Sequence, residues 1–327
     1  MENINWRSRL KEGVVIPAHP LVLTQDRKLD EARQSGLTRY YVNSGAGGVA
    51  VGVHTTQFAI RDHGLFEPVL ALAAAEAHSI IRIAGAFDAK EAECAARLGY
   101  HAALLIPRRG ESPDELLARA RQVGEVLPLM GFYLQPAVGG CVLTRDFWAR
   151  FAALECVVAI KVAPFDRYRT IDVLDGVLDS GRASEIALYT GNDDHIVLDL
   201  ITQYRGLRFA GGLLGQWAVW TKQAVEMLEA IHRDPDHPRW RTLAAELTAA
   251  NAAIFDVANG FKGSIAGVHE ILRRQGLMEG IWCLDPEEGL SPGQSEEIDR
   301  IYALFPDLVS EQTWRKRPRV QHRRSRR

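Results

Sequence analysis

Cysteine is scarce in this chain: four residues in 327, Cys94, Cys141, Cys156 and Cys283, all far apart. That spacing builds neither a disulfide scaffold nor a zinc knuckle, and it fits reduced thiols. No run approaches 18 consecutive apolar residues, so no transmembrane helix and no membrane partner are expected. The first residues, MENINWRSRLKEG, hold no apolar stretch of the secretory kind, and a cytoplasmic location is the expectation. Carboxylates and histidines do not cluster at ligand spacing, so neither a metal nor a cofactor is expected. The GAGG run at 45–48 is not followed by GKS or GKT and reads as a turn rather than a phosphate loop. GGLLG at 211–215 stands where barrels often bind phosphate, which leaves a phosphorylated ligand as a lesser alternative.

What is present is an ordinary globular composition, 47% apolar and 24% charged, which excludes a disordered or fibrous chain. The net charge of −2 hides an asymmetry. Residues 315–327, RKRPRVQHRRSRR, carry eight Lys or Arg and no acid; the remainder has 31 basic against 41 acidic residues, about −10. Such a tail reads first as a solvated end, with nucleic acid or an anionic surface as the sharper alternative.

Short runs rich in branched residues begin near Val14, Gly48, Ile80, His101, Leu129, Val157, Glu185 and Arg208. Amphipathic stretches lie between them, such as ESPDELLARARQVGEVL, where Ser112, Pro113 and Glu115 form a capping signature. Continuously apolar strands alternating with helices predict a parallel sheet covered on both faces, and eight units predict an α/β fold, a (β/α)8 TIM barrel. From Gln216 to about Leu308 the pattern is helical only. The expected organisation is an N-terminal extension (1–12), a barrel (13–215), a helical C-terminal domain (216–308) and a basic tail (309–327).

Lys161 is the most informative residue, because it interrupts VVAIKVA, a run that should be a buried strand. Burial disfavours an ammonium group. Alternation puts Ala159, Lys161 and Ala163 on one face and the bulkier Val158, Ile160 and Val162 on the other. An amine of lowered pKa in an apolar pocket can attack a ketone and form a Schiff base; a lysine paired with a carboxylate across the barrel is the alternative. In LMGFYLQP, the residues Gly131, Tyr133 and Gln135 share a face, so Tyr133 is read as pointing inward as an acid/base, or else as a core tyrosine with a satisfied hydroxyl. Asp193 and Asp194 read as caps of the next helix sooner than as acid/base groups. His19 and His54 fall at strand ends near the barrel mouth.

Taken together, GVVIPAHPL, LDEARQ, GAGGVAVGVHTTQF, GFYLQP, VVAIKVA and YTGNDD resemble the landmarks of the dihydrodipicolinate synthase and N-acetylneuraminate lyase family, over residues 13 to about 306. The resemblance implies a class I aldolase on pyruvate or a related 2-oxo acid, assembled as a homotetramer, a dimer of dimers. It implies Lys161 as the Schiff-base lysine, Tyr133 as the acid/base and Thr55 as a proton relay through that tyrosine. The backbone N–H groups of His54 and Thr55 would hold the keto-acid carboxylate. Beside these, Thr56, Gln135, Arg108, Arg109 and His19 are expected to contact substrate, on this chain's own residues rather than on the family pattern.

The chain also departs from the family pattern. His54, Thr56 and Gln57 replace a threonine, a glycine and an acid. Pro107-Arg108-Arg109 stands where the synthases carry Pro-Tyr-Tyr, and no arginine follows Pro136. A synthase acting on aspartate semialdehyde is therefore not expected, and the paired arginines would set the second substrate. The competing reading is a catalytically weak ligand-binding or regulatory barrel of the same family, with the basic tail contacting nucleic acid.

Overall fold

The computed structural model describes residues 5–309. The apolar runs form β1 (Val15–Pro17), β2 (Gly48–Val51), β3 (Ile81–Ala86), β4 (Ala102–Leu105), β5 (Leu129–Leu134), β6 (Val157–Ala163) and β7 (Ala187–Thr190). After them come β8 (Gln203–Tyr204), β9 (Leu207–Arg208) and β10 (Gly211–Leu214). Eight of these pair in parallel in the order β1-β10-β7-β6-β5-β4-β3-β2. A bridge between Ala18 and Ala50 closes the circle. It is reinforced where His19 N–H donates to the Ala50 carbonyl at 2.8 Å. The expected (β/α)8 barrel is the fold observed.

The last strand departs from expectation. Leu207–Arg208 does not enter the barrel but pairs antiparallel with Gln203–Tyr204. Arg205 and Gly206 both have positive φ (47° and 85°), the geometry of a two-residue type I′ hairpin that a right-twisted ribbon favours. The eighth barrel strand, β10, starts at Gly211 instead, and no larger residue fits there: an added Cβ would lie 2.4 Å from the Val14 carbonyl oxygen.

Two apolar layers hold the barrel. Ile16, Ala50, Ile83, Leu104, Met130 and Leu213 fill its interior. A larger cluster joins the outward strand faces to the surrounding helices. Below, the helix Trp6–Glu12 sends Leu10 into the interior cluster, and the Leu10 carbonyl accepts the Tyr189 hydroxyl at 2.8 Å. Ser112 and Glu115 form the expected capping box on the helix Pro113–Gly124.

Beyond β10 the helices Thr221–Arg233, Arg239–Ile254, Ser264–Arg274 and Gln294–Leu304 make up the C-terminal part. This cap is stitched to the strand ends. Asn251 Nδ2 donates to the Asp193 carbonyl at 2.6 Å and Thr248 Oγ1 to the Asp194 carbonyl at 2.7 Å. Leu284 N–H donates to Gln57 Oε1 at 2.6 Å. Among the described residues no helix is long and apolar enough to cross a membrane. The basic segment 315–327 lies outside the described residues.

Candidate active site

A cleft opens at the carboxyl ends of the strands, under the helical cap. That end of a barrel is where loops from every βα unit converge and where sites are built. Lys161 reaches it from β6. Ala159 and Ala163 lie in the interior cluster, facing the same way as the lysine, while Ile160 and Val162 pack outward, as alternation predicts. Val158 differs from expectation and joins the interior cluster. The reason is a register shift in which Leu129 pairs with Val157 but Met130 pairs with Ala159.

Room for the lysine chain comes from Gly191. A Cβ at that position would lie 2.6 Å from Lys161 Cε and 2.8 Å from Ala163 Cβ, both far inside contact distance. The amine, Nζ, sits 4.3 Å from the centroid of the Phe132 ring. Lys161 is only 8% exposed and has no direct ion pair among the described residues. Burial therefore pulls its pKa down to about 8, and the nearby Asp193 carboxylate limits the fall.

Asp193 lines the same cleft, which corrects its reading as a helix cap. The helix Ile196–Ile201 has His195 at its N-cap and no side-chain cap at all. Asp193 Oδ1 instead accepts the Gln216 N–H at 3.2 Å, which aims the carboxyl across the mouth. Burial pushes its pKa up to about 7, against the opposing pull of Lys161 and of that hydrogen bond. A lysine drawn toward neutrality and a carboxyl drawn toward protonation share one cleft. Perturbed groups of this kind gather at functional sites, which makes the cleft the candidate site.

The other predicted residues divide into two groups. Gln135, His54 and Thr55 line the cleft with Lys161. The His54 imidazole is held neutral, its pKa near 4, by burial and by the charge of Lys161. Its backbone N–H and that of Thr55 make no hydrogen bond among the described residues. Both therefore remain as free donors. The Thr55 hydroxyl donates to the Ala18 carbonyl at 2.8 Å, fixing the rotamer.

Tyr133, Thr56, His19, Arg108 and Arg109 are not brought to the cleft. Tyr133 points the opposite way from the prediction: it packs in the outer layer against Trp148, ring centroids 5.4 Å apart. Its hydroxyl donates to the Leu143 carbonyl at 3.2 Å and accepts the Leu143 N–H at 3.1 Å. The cause is the aromatic helix Arg145–Ala152. Phe151 needs the bare Gly131 beneath it, where a Cβ would come within 2.6 Å, and this forces Gly131 and Tyr133 outward and Phe132 inward beside Lys161. Thr56 Oγ1 donates to the His19 carbonyl at 2.7 Å and accepts from Gly52 N–H, a backbone clamp. His19 is wholly buried between Thr38 Oγ1 and the Pro20 carbonyl, each at 2.8 Å. Arg108 pairs with Asp88 at 3.3 Å, and both arginines border a separate open crevice beside Glu111.

The sequence reading missed Asp193, although a signal was there: an acid that follows a strand end one strand over from the lysine. The roof of the cleft was not legible. Phe255, Phe261, Ser264 and Ile265 come from the cap and Phe165 from the loop after β6. Asp256, at φ 55°, pins this roof through Gly263 N–H at 2.9 Å and Ser291 Oγ at 2.5 Å.

No family model and no curated protein matches the sequence. Solved structures do. Dihydrodipicolinate synthase DapA-2 from Bacillus anthracis superposes with a TM-score of 0.75 at 18% identity, over 89% of this chain and 98% of that one. This chain has the dihydrodipicolinate synthase fold. YagE, a prophage protein of that family from E. coli K12 solved with pyruvate, gives 0.75 at 18% identity, covering 90% of this chain and 97% of its own. CdNal from Clostridium difficile, solved with mannosamine, gives 0.70 at 17%, covering 89% and 98%.

Proposed function

We propose that this protein is a Schiff-base-forming lyase, an aldolase or hydro-lyase, acting on pyruvate or another 2-oxo acid through an imine on Lys161. The observation that carries the reading is the buried amine, without an ion pair among the described residues, facing a cleft that also holds a protonatable carboxyl. The likeness in fold to a pyruvate-bound structure supports it.

The chemistry follows from the groups at hand. The keto-acid carboxylate is held by the free N–H groups of His54 and Thr55, as donors at a strand end can hold an anion. Neutral Lys161 attacks the ketone carbon, and protonated Asp193 gives its proton to the departing hydroxyl, so that water leaves and the iminium remains. The Asp193 carboxylate then takes a proton from the carbon next to the former ketone, leaving an enamine. Tyr133 and Thr55 are not coupled in a relay in this scheme, because Tyr133 lies in the outer layer. Homotetramer assembly, implied by the resemblance, belongs to the same proposal and is checked by light scattering.

Two variants test the arrangement. Gly191→Ala drives a methyl into the lysine chain, so borohydride trapping with pyruvate should slow about 10- to 100-fold, the cost of misplacing a reacting group by about 1 Å. Circular dichroism should report a folded protein. Tyr133→Phe removes two buried hydrogen bonds to Leu143, and thermal unfolding should show a loss of about 1–2 kcal/mol. Its kcat should stay within about twofold of the parent, whereas a catalytic hydroxyl would cost about 100-fold or more.

The outward Tyr133 also favours one alternative: a ligand-binding barrel that forms the imine without turning over. Trapping of pyruvate with no product from any aldehyde or hydroxy-keto acid would establish that alternative.

A further inference from the structure

The cleft holds one strong cation. Among its described lining residues Lys161 is the sole lysine or arginine, His54 is kept neutral, and Asp193 is a carboxyl. A second reactant bearing a carboxylate would meet no free cation here and would sit beside Asp193. Desolvating an unpaired charge is unfavourable by several kcal/mol. Polyhydroxylated reactants fare no better, because Gln135 and Ser264 are nearly all that remains to bond several hydroxyls.

What surrounds the amine is apolar and largely aromatic. Phe132, Leu134 and Val138 form one wall, and Phe165, Phe261 and Ile265 the roof. Phe165 and Phe261 meet across the mouth with ring centroids 5.8 Å apart and planes at 43°. Both are held in the left-handed region, φ 51° and 68°, where bulky side chains are rarely found. The surroundings impose this. Phe165 N–H donates to Asn192 Oδ1 at 3.0 Å, and Phe261 N–H to the Asp256 carbonyl at 3.0 Å. Strained backbone maintained on two separate loops, with both rings turned into one cleft, is characteristic of a ligand clamp.

We infer that the second reactant of this site is an uncharged aromatic aldehyde, clamped against Phe165 and Phe261. The inference rests on the Lys161 imine. In the step, the enamine carbon bonds to the aldehyde carbon, the carbonyl π pair moves to its oxygen, and that oxygen takes a proton from Asp193. Water then hydrolyses the imine, freeing Lys161 and a 4-aryl-4-hydroxy-2-oxo acid. The water lost on forming the imine is regained here, and nothing is oxidised or reduced. The reverse reaction cleaves the same acid to pyruvate and the aldehyde.

The test uses the full chain with pyruvate and separate aldehydes: benzaldehyde, aspartate semialdehyde and glyceraldehyde, with products followed by mass spectrometry. Benzaldehyde should exceed the other two in kcat/KM by about 30-fold or more, an unpaired-charge or unpaired-hydroxyl penalty. Phe165→Ala and Phe261→Ala should each raise KM for benzaldehyde about tenfold. Phe165→Leu and Phe261→Leu, which keep bulk but lose the ring, should fall between. Pyruvate trapping by borohydride should persist in all four variants. Preference for either polar aldehyde, or unchanged KM in the alanine variants, overturns the inference. Trapped pyruvate with no aromatic product overturns it alone, while no trapped pyruvate overturns the imine reading as well.

Discussion

Pyruvate and borohydride together should leave one reduced adduct per chain, on the peptide containing Ile160-Lys161-Val162, and Lys161→Ala should abolish it along with all turnover. The effect is expected to be complete because no second lysine lines the cleft among the described residues. Removing the amine also deletes a costly buried polar group from an apolar interior, so Lys161→Ala should fold and melt no lower than the parent by calorimetry. Peptide mapping by mass spectrometry decides the question. An adduct on another lysine would end the assignment, whatever the activity of the variant.

Asp193→Asn should lower kcat by about 100-fold or more, since it removes the group proposed to give and take the proton. It should also leave a signature that a merely structural role would not. Asp193 raises the pKa of Lys161, so its neutralisation lowers that pKa further. The pH at which pyruvate trapping reaches half its maximal rate should therefore move below about 8 in the variant. In the parent, attack needs the neutral amine, so rate rises with pH through about 8; proton donation needs the protonated acid, so rate falls above about 7. The product of the two is a bell with its maximum between those values, and its limbs belong to the pair rather than to either residue. A flat profile, or a variant with unshifted trapping, would remove Asp193 from the chemistry.

The pairing of these two groups explains why the cleft tolerates them. A buried lysine fully charged at neutral pH would need a close partner, and a buried aspartate likewise. Here each is moved toward its neutral form by burial, and each moderates the shift of the other. Asn251 and Thr248 of the cap grip the backbone carbonyls of Asp193 and Asp194, so the carboxyl is set by contacts that join barrel to cap.

Local pattern along the chain was enough for the barrel, the helical part after it and the inward lysine. Near-continuous apolar runs require burial on both faces, and Ala159, Lys161 and Ala163 alternate with bulky residues within one strand. His54 was legible as a residue at a strand end, whereas Gln135 lines the cleft although Tyr133, the residue whose face it was expected to share, points outward. Tertiary packing, by contrast, chose which way β5 faces. Alternation states that Phe132 and Tyr133 oppose one another but not which is inside, and the choice came from Phe151 needing Gly131 beneath it, on the helix that follows the strand. Packing also settled the last unit, where a two-residue turn diverts Leu207–Arg208 into a hairpin and the barrel strand begins later, at Gly211. The fates of Arg108 and Arg109, and the aromatic roof from Phe165 and Phe261, were decided the same way. Contacts between segments far apart in sequence carry no periodicity, and only folding brings them together.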